Sequence, residues 1–335
     1  MAAAAFANQL SFSGLRPVDL RTDLGGMADL IEICFGATMD ESGRAGIREW
    51  RTVSQSSSMS WLYSGLDRAL GGLEQGFVWI EDGKVVGNVT VSPAPLPRSF
   101  GTGFIVANVA VHPEFRRHGL ALSLMQAALD LIRDKGGDFA VLQVDADNEV
   151  AMRLYNRVGF RAERGFTRWQ RRPRLRAPMA LVGMPPITLR QPYEWRAEMA
   201  LAELVRPNSQ GGLGWLRPVH PDFFRRPLLK TLVDWTIARN EDHWIVRRER
   251  SHEIIASMRT TTSFGASDRL ELMVHPSEQA RLTEPMINYA LRLLEDRHRM
   301  TQIEHPAADV IASQVLEQYG FERRATTVHM RCVFK

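Results

Sequence analysis

Residues 106–128 read VANVAVHPEFRRHGLALSLMQAA, and the fold follows from how this stretch changes character along its length. The first six residues run apolar like a strand, His112-Pro113 halts it, and Arg116-Arg117-His118-Gly119-Leu120-Ala121 leads into a helix. Leu120, Leu124, Ala127, Ala128 and Leu131 recur at helical spacing, one apolar stripe that must face a sheet. Gly119 allows close backbone approach, and the first N–H groups of the helix have no acceptor within it. Strand, basic loop and helix start together make an anion cradle.

Working outward, the flanking segments supply the rest of an α/β layout. Residues 12–17 read as a first strand and 27–35 as a short helix; 77–80 and 85–91 form a hairpin around Glu81-Asp82-Gly83-Lys84, where Asp-Gly signals the turn. Residues 105–111 are strand four. Residues 139–144 are a continuous apolar strand, Asp147-Asn148 caps a helix to about Arg157, Gly159 ends it, and 160–170 gives the last two strands. Pro173, Pro178, Pro185 and Pro186 exclude a helix or central strand, so 173–186 reads as a linker.

Beyond the linker the pattern repeats. Residues 187–192 echo 14–17, 244–247 and 254–262 echo the hairpin, and Leu270 to Pro276 echoes Asn108 to Pro113. Leu282 to Leu294 is a second central helix, and Tyr319-Gly320-Phe321 repeats the Gly159-Phe160 ending. His112-Pro113 and His275-Pro276 lie 163 positions apart, Gly159 and Gly320 161 apart, a register constant enough for two copies of one domain.

The motifs Arg116-x-x-Gly119-x-Ala121 and Asn148-x-x-Ala151-x-x-x-Tyr155-x-x-x-Gly159-Phe160 resemble the coenzyme A site of the GCN5-related N-acetyltransferase (GNAT) superfamily. The resemblance implies a mixed α/β sheet in two tandem GNAT-like acyl-CoA N-acyltransferase domains: 1–172 catalytic, 173–186 linker, and 187–335 degenerate, kept for packing or for shaping the acceptor site. It implies that acetyl-CoA, as co-substrate, lays its pyrophosphate on the amides of Arg116, Arg117, His118, Gly119, Leu120 and Ala121. By the same resemblance the pantetheine arm pairs with the backbone of Val109, Ala110 and Val111, Asn148 and Ala151 line the arm, and Tyr155 protonates the leaving thiolate. The acceptor is then a primary amine on a small molecule or peptide, lined by residues 36–75, where Asp40, Glu41 and Glu49 would attract a cation.

The chain departs from many relatives at Val106, Ala107 and Asn108, where a carboxylate often serves as base. A water chain, or an acid from elsewhere such as Asp145, must then deprotonate the amine. His112 precedes the strand-ending proline and His118 lies in the phosphate loop, so the base is unassigned. In the second copy the loop after His275-Pro276 is Ser-Glu-Gln-Ala-Arg-Leu-Thr-Glu-Pro, with Glu278 and Glu284 but no glycine, and Leu316 stands where Tyr155 would.

Composition sets the outer bounds. The 335 residues, 44% hydrophobic, are enough for two buried cores. Residues 1–172 hold 19 Lys+Arg and 19 Asp+Glu, so the formal charge of +4 lies in the remainder, too mild and spread for a nucleic-acid footprint. The basic run from Arg161 to Arg176 alternates with apolar residues and reads as one exposed strand face; a nucleic-acid role for it would require steep salt dependence. Cys34 and Cys332 lack metal-ligand spacing, and the start MAAAAFANQL lacks a basic n-region, so the expectation is a cytoplasmic protein without metal or membrane partner. The other class of reading is a regulatory or scaffold protein that holds acyl-CoA without turnover. Oligomeric state is not written in the chain.

Overall fold

A computed structural model of the chain describes residues 12–37, 39, 41–55, 75–173, 175–225, 239–251, 253–263 and 265–334. The chain divides into two compact units: Met1–Gln143, Glu149–Arg161 and Arg331–Lys335 in the first, Val144–Asn148 and Ala162–Met330 in the second.

In the first unit β1 (Gly14–Pro17), α1 (Leu20–Phe35), α2 (Glu41–Gln55), β2 (Gln75–Glu81), β3 (Lys84–Pro93), β4 (Gly103–Val111), α3 (Leu120–Asp134), β5 (Phe139–Asp145) and α4 (Glu149–Arg157) follow in turn. The strand order is β1-β2-β3-β4-β5, with only β4–β5 parallel. Asp82 and Gly83 both have positive φ, +49° and +74°, the conformation that a two-residue hairpin turn requires. Val78 and Ile80 of β2 point to one face, where Met27 of α1 meets them and Trp50 of α2 closes over the top. Trp79 and Gly87 belong to the other face. A Cβ built on Gly87 would lie 3.0 Å from Leu124 of α3, so helices cover both sides of the sheet. The buried side of α3 is Leu120, Leu124, Met125, Ala128, Leu129 and Ile132. Ala127 and Leu131, expected on that stripe, are half-buried at its edge because five aliphatics around them compete for the sheet.

Helix α1 starts at Leu20, seven residues before the expected Met27. Asp19 caps it through Arg21 N, and two glycines, Gly25 and Gly26, mask the pattern in the sequence. Gly26 is there because a Cβ would come within 2.8 Å of Val85. Within the 36–75 stretch, α2 carries Ile47 and Trp50, and residues 56–74 lie outside the described residues, as do the chain start and Asp40.

The second unit holds β6 (Arg161–Arg171), β7 (Thr188–Leu189), α5 (Trp195–Val205), β8 (Asn240–Arg247), β9 (Ile254–Thr262), β10 (Asp268–Val274), α6 (Gln279–Leu293), β11 (Thr301–Pro306), α7 (Val310–Gln318) and β12 (Phe321–Val333). Its strand order is β12-β6-β11-β10-β9-β8-β7. Helix α6 packs Leu282, Met286 and Ile287 against Val246, Leu270 and Leu272; α5 packs Leu201 on the opposite face with Ile245 and Ile254.

Strand assignment departs from the sequence pattern in one respect. Residues 161–171 are a single 11-residue strand rather than two, and β6 sits in the second unit, antiparallel to β11, because Trp169 is buried in that unit's core. The last residues, 331–334, belong to the first unit, where Phe334 N donates to Asp138 O at 2.9 Å and the Arg331 guanidinium lies 4.4 Å over the Phe139 ring. Nor is the basic run one solvated face. Arg171 is 9% exposed and donates to the carbonyls of Tyr319, Leu175 and Arg176, which fastens 175–176 to the second unit. The stretch 176–187 carries no helix or strand. Among the described residues no helix is long and apolar enough to cross a membrane.

Candidate active site

The site begins where two strands part. β4 pairs with β5 only from Gly103↔Phe139 to Ile105↔Val141, while on its other edge it stays with β3 out to Gly87↔Val111. Between Asn88↔Ala110 and Thr90↔Ala107 the β3–β4 ladder skips a residue, so Asn108 and Val109 both face Val89. Asn108 takes φ +53°, which Asn tolerates better than most residues. Three hydrogen bonds hold this bulge: Asn88 Nδ2 to Asn108 O at 3.0 Å, Asn108 Nδ2 to Thr90 Oγ1 at 3.0 Å, and Thr90 Oγ1 to Ala107 O at 3.2 Å. Asn88 is 0% exposed. The bulge bends β4 away from its parallel neighbour and leaves the backbone of 106–111 without a β5 partner.

At the end of β4, His112 caps a short turn, Pro113–Phe115, with Nδ1 accepting from Glu114 N at 3.4 Å and its ring edge-on to Phe115. Arg116 then folds back so that Nε donates to Val111 O at 3.1 Å. Arg117 and Gly119 both have positive φ, +67° and +84°. A Cβ built on Gly119 would meet no protein atom within 4 Å, so glycine is required there by backbone conformation and not by packing. The first i→i−4 bond of α3 is Ser123 N to Gly119 O, which leaves the N–H groups of Leu120, Ala121 and Leu122 outside the helical ladder. Leu120 is buried and anchors the turn; Arg116, Arg117, His118 and Gly119 are exposed. The first turn holds no acidic residue, and the exposed Arg116 and Arg117 precede a helix N-terminus, whose free N–H groups and dipole favour negative charge.

Tyr155, on α4 in the same unit, is buried against Phe160 with ring centroids 6.1 Å apart, and burial pushes its phenol up to about 12. Ala151 is half-buried one turn earlier. Gly159 ends the helix at φ +101°, with Phe160 N returning to Tyr155 O at 3.0 Å. Thus Val109, Ala110, Val111, the 116–121 loop, Ala151 and Tyr155 fall in one compact unit; Asn148 and Asp145 fall in the other, Asn148 exposed just before α4. Burial and the nearby Asp147 raise the Asp145 carboxyl. Of the acceptor candidates, Glu49 is exposed on α2, while Asp40 and the Glu41 side chain lie outside the described residues. The Asn88–Asn108–Thr90 network was not anticipated. Its signal was an asparagine inside the valine-rich Lys84–Pro93 strand, a residue that strands disfavour unless a side chain is needed. Cys34 is half-buried, and its Sγ lies 3.5 Å from Val111 O as a donor.

The second repeat keeps the frame and loses the cradle. β10 leaves β11 after Leu270↔Ile303, as β4 leaves β5, and His275 caps Pro276–Glu278 as His112 caps its own turn. The turn then runs straight into α6 at Gln279, with no residue of positive φ between them. The helix expected from Leu282 therefore begins three residues earlier, at Gln279, and Pro285 lies inside it at the loss of one backbone bond. Glu278 is paired with Arg281 at 2.8 Å and Arg248 at 3.4 Å. Leu316 is 0% exposed, a core residue where the first repeat has a tyrosine.

The acetyltransferase (GNAT) family profile matches residues 44–160, which include the bulged strand, the loop and Tyr155. Over that span, about a third of its length, the chain is similar to the GNAT family. It is 33% identical over 87 residues to N-alpha-acetyltransferase 30 of Schizosaccharomyces pombe, a match that covers 26% of this chain and little more than half, 57%, of that protein. Among solved structures, a GCN5-related N-acetyltransferase from Sphaerobacter thermophilus aligns over 95% of both chains with a TM-score of 0.59 at 19% identity. A tandem GNAT protein from the clavulanic acid biosynthesis pathway aligns over 95% of this chain and 98% of its own with a TM-score of 0.50 at 15% identity. At these identities the two structures establish a GNAT fold running through nearly the whole chain.

Proposed function

We propose that the first unit is an N-acetyltransferase that moves an acetyl group from acetyl-CoA to a primary amine of a small molecule or peptide. The observation that carries this reading is the bulged β4 leaving β5 directly ahead of a glycine-capped helix N-terminus, so that one continuous stretch offers a backbone edge and then an anion surface. The chain's residues fit an acyl-CoA. The amides of the 116–121 loop, with Arg116 and Arg117, would hold the pyrophosphate. The open backbone edge at 109–111 would take an extended polar arm as an added strand, with Ala151 of the same unit beside it. When bound, the thioester supplies the activated acyl carbon. Tyr155, which stays protonated at every ordinary pH, would keep its proton available for the leaving thiolate. The base remains unassigned. β4 carries no Asp, Glu or His, and His112 spends Nδ1 on its own turn.

Similarity to an Nα-acetyltransferase supports a peptide α-amine as the first acceptor to try. The bare β4 favours a second reading, a protein that holds acyl-CoA without turnover. Thiol release from acetyl-CoA, measured across a panel of peptide α-amines, polyamines and amino sugars, separates them. Amine-dependent release above hydrolysis supports the transferase; saturable binding with no amine in the panel raising release supports the binding protein.

A further inference from the structure

In the second unit the parting of β10 from β11 opens a cleft of about 620 Å3. Its walls are mixed: Leu272 and Val274 from β10 and Ile311 from α7 form an apolar side, and Glu163, Arg164, Gln279, His305 and Asp309 are among the polar lining. Arg206, the residue that ends α5, reaches into it and is 6% exposed. Its Nη2 donates to Leu272 O at 3.0 Å and lies 3.3 Å from His305 Nδ1, but Nη1, also buried, has no hydrogen-bond partner. A buried charged donor left without an acceptor is unusual and unfavourable.

The neighbouring charges do not supply that acceptor. Asp309 is used twice, Oδ2 with His305 Nε2 at 2.9 Å and Oδ1 as the cap of α7 through Ala312 N at 3.0 Å. Arg164, on the same cleft, is engaged with Val205 O and Gln210 and adds positive charge; Glu163 also lines the space. Burial, then Arg164, presses the Arg206 guanidinium down to about 9. That pressure is relieved by an anion in contact with it.

We propose that this cleft is a binding site for a small carboxylate with a short apolar tail, its oxygen accepting from Arg206 Nη1 and its tail lying against Leu272, Val274 and Ile311. A phosphate fits less well. Glu163 and Asp309 line the same space and would repel a dianion more than a monoanion, and the nearby N-terminus of α7 is already capped by Asp309. The site is distinct from the acyl-CoA surface of the first unit and does not depend on the activity proposed for it.

Calorimetry on the full chain at pH 7, with butyrate, its neutral isostere butyramide and inorganic phosphate as probes, tests this. The expected result is one butyrate per chain, binding by butyramide weaker by about tenfold or more, and a similar loss in Arg206→Met. Saturating acetyl-CoA should leave butyrate binding unchanged. Equal affinity for butyramide, tighter binding of phosphate, displacement by acetyl-CoA, no loss in Arg206→Met, or no saturable binding would each overturn the proposal. Should Arg206→Met fail to fold, wild-type crystals soaked in 4-bromobutyrate decide it: a bromine peak in the cleft between β10 and β11 supports the site, and a peak elsewhere or none refutes it.

Discussion

Asn88 Nδ2 donates to the main-chain oxygen of Asn108, 3.0 Å away, at the point where β4 carries one residue more than β3. A buried side chain of one strand thus fixes the irregular backbone of the next. Asn88→Ala removes the donor and leaves a carbonyl unpaired, a cost of about 1–3 kcal/mol. The thermal midpoint should fall and the acetyl-CoA dissociation constant should rise together. A variant that loses stability yet binds acetyl-CoA normally would separate the bulge from the site.

Tyr155→Phe keeps the ring packed against Phe160 and removes only the hydroxyl. The expected outcome is a fall in kcat of about tenfold or more with acetyl-CoA affinity nearly unchanged, as befits a group needed only when the thiolate leaves. Because burial holds the phenol near 12, an acid in this role stays protonated, and the wild-type rate should show no basic limb due to Tyr155 below about pH 10. Equal losses in kcat and affinity would make Tyr155 a binding residue instead.

Much of this was legible in the chain. The turn at Asp82-Gly83, the stop at His112-Pro113 and the cap at Gly159 depend on local backbone chemistry, and each stands where the sequence puts it. The bulge at Asn108 was not legible, because one residue of extra register leaves the strand's apolar run intact and shows only in the partner strand. The second repeat's helix start was legible only to within three residues. The helix expected from Leu282 begins at Gln279, and packing of Leu282, Met286 and Ile287 holds it through Pro285. Which unit claims β6 depends on tertiary burial of Trp169, and no local pattern encodes that.

Asp23 ties β1 to α1. It is 3% exposed, accepts both arms of the Arg16 fork at 2.6 and 2.7 Å, and accepts from Asp19 N at 2.8 Å. Asp23→Ala should destabilise the chain by about 2–4 kcal/mol, while Arg16→Met, which removes the more exposed partner, should cost less. Denaturant titration of both variants gives the order; the reverse order would show that the Arg16 contact, rather than the cap of the helix, dominates.

His329 is 3% exposed, stacked on Phe166 at 4.8 Å and edge-on to Trp215 at 5.3 Å, and burial lowers it to about 4 from an ordinary 6.5. Between those values the unfolded chain binds the proton and the folded chain does not, so stability is lost as pH falls through that window, by about 3 kcal/mol at its foot. His305, also lowered by burial, acts in the same direction, whereas the depressed carboxylates of Glu198 and Asp309 contribute only below their ordinary range. His329→Phe should flatten the slope of thermal midpoint against pH between 6.5 and 4. An unchanged slope would assign the effect to His305.

The central claim is that one repeat binds the coenzyme and the other does not, because only the first has Arg117 and Gly119 at positive φ ahead of its helix. Calorimetric titration of acetyl-CoA into the full chain, with Gly119→Val as the matched variant, tests it most directly. A β-branched residue at φ +84° is strained by about 1–2 kcal/mol or more, and relieving the strain turns the loop amides out of line. One acetyl-CoA per chain, with affinity lowered about tenfold or more in Gly119→Val, is the predicted result. Two equivalent sites, or a single site that Gly119→Val leaves intact, would contradict it.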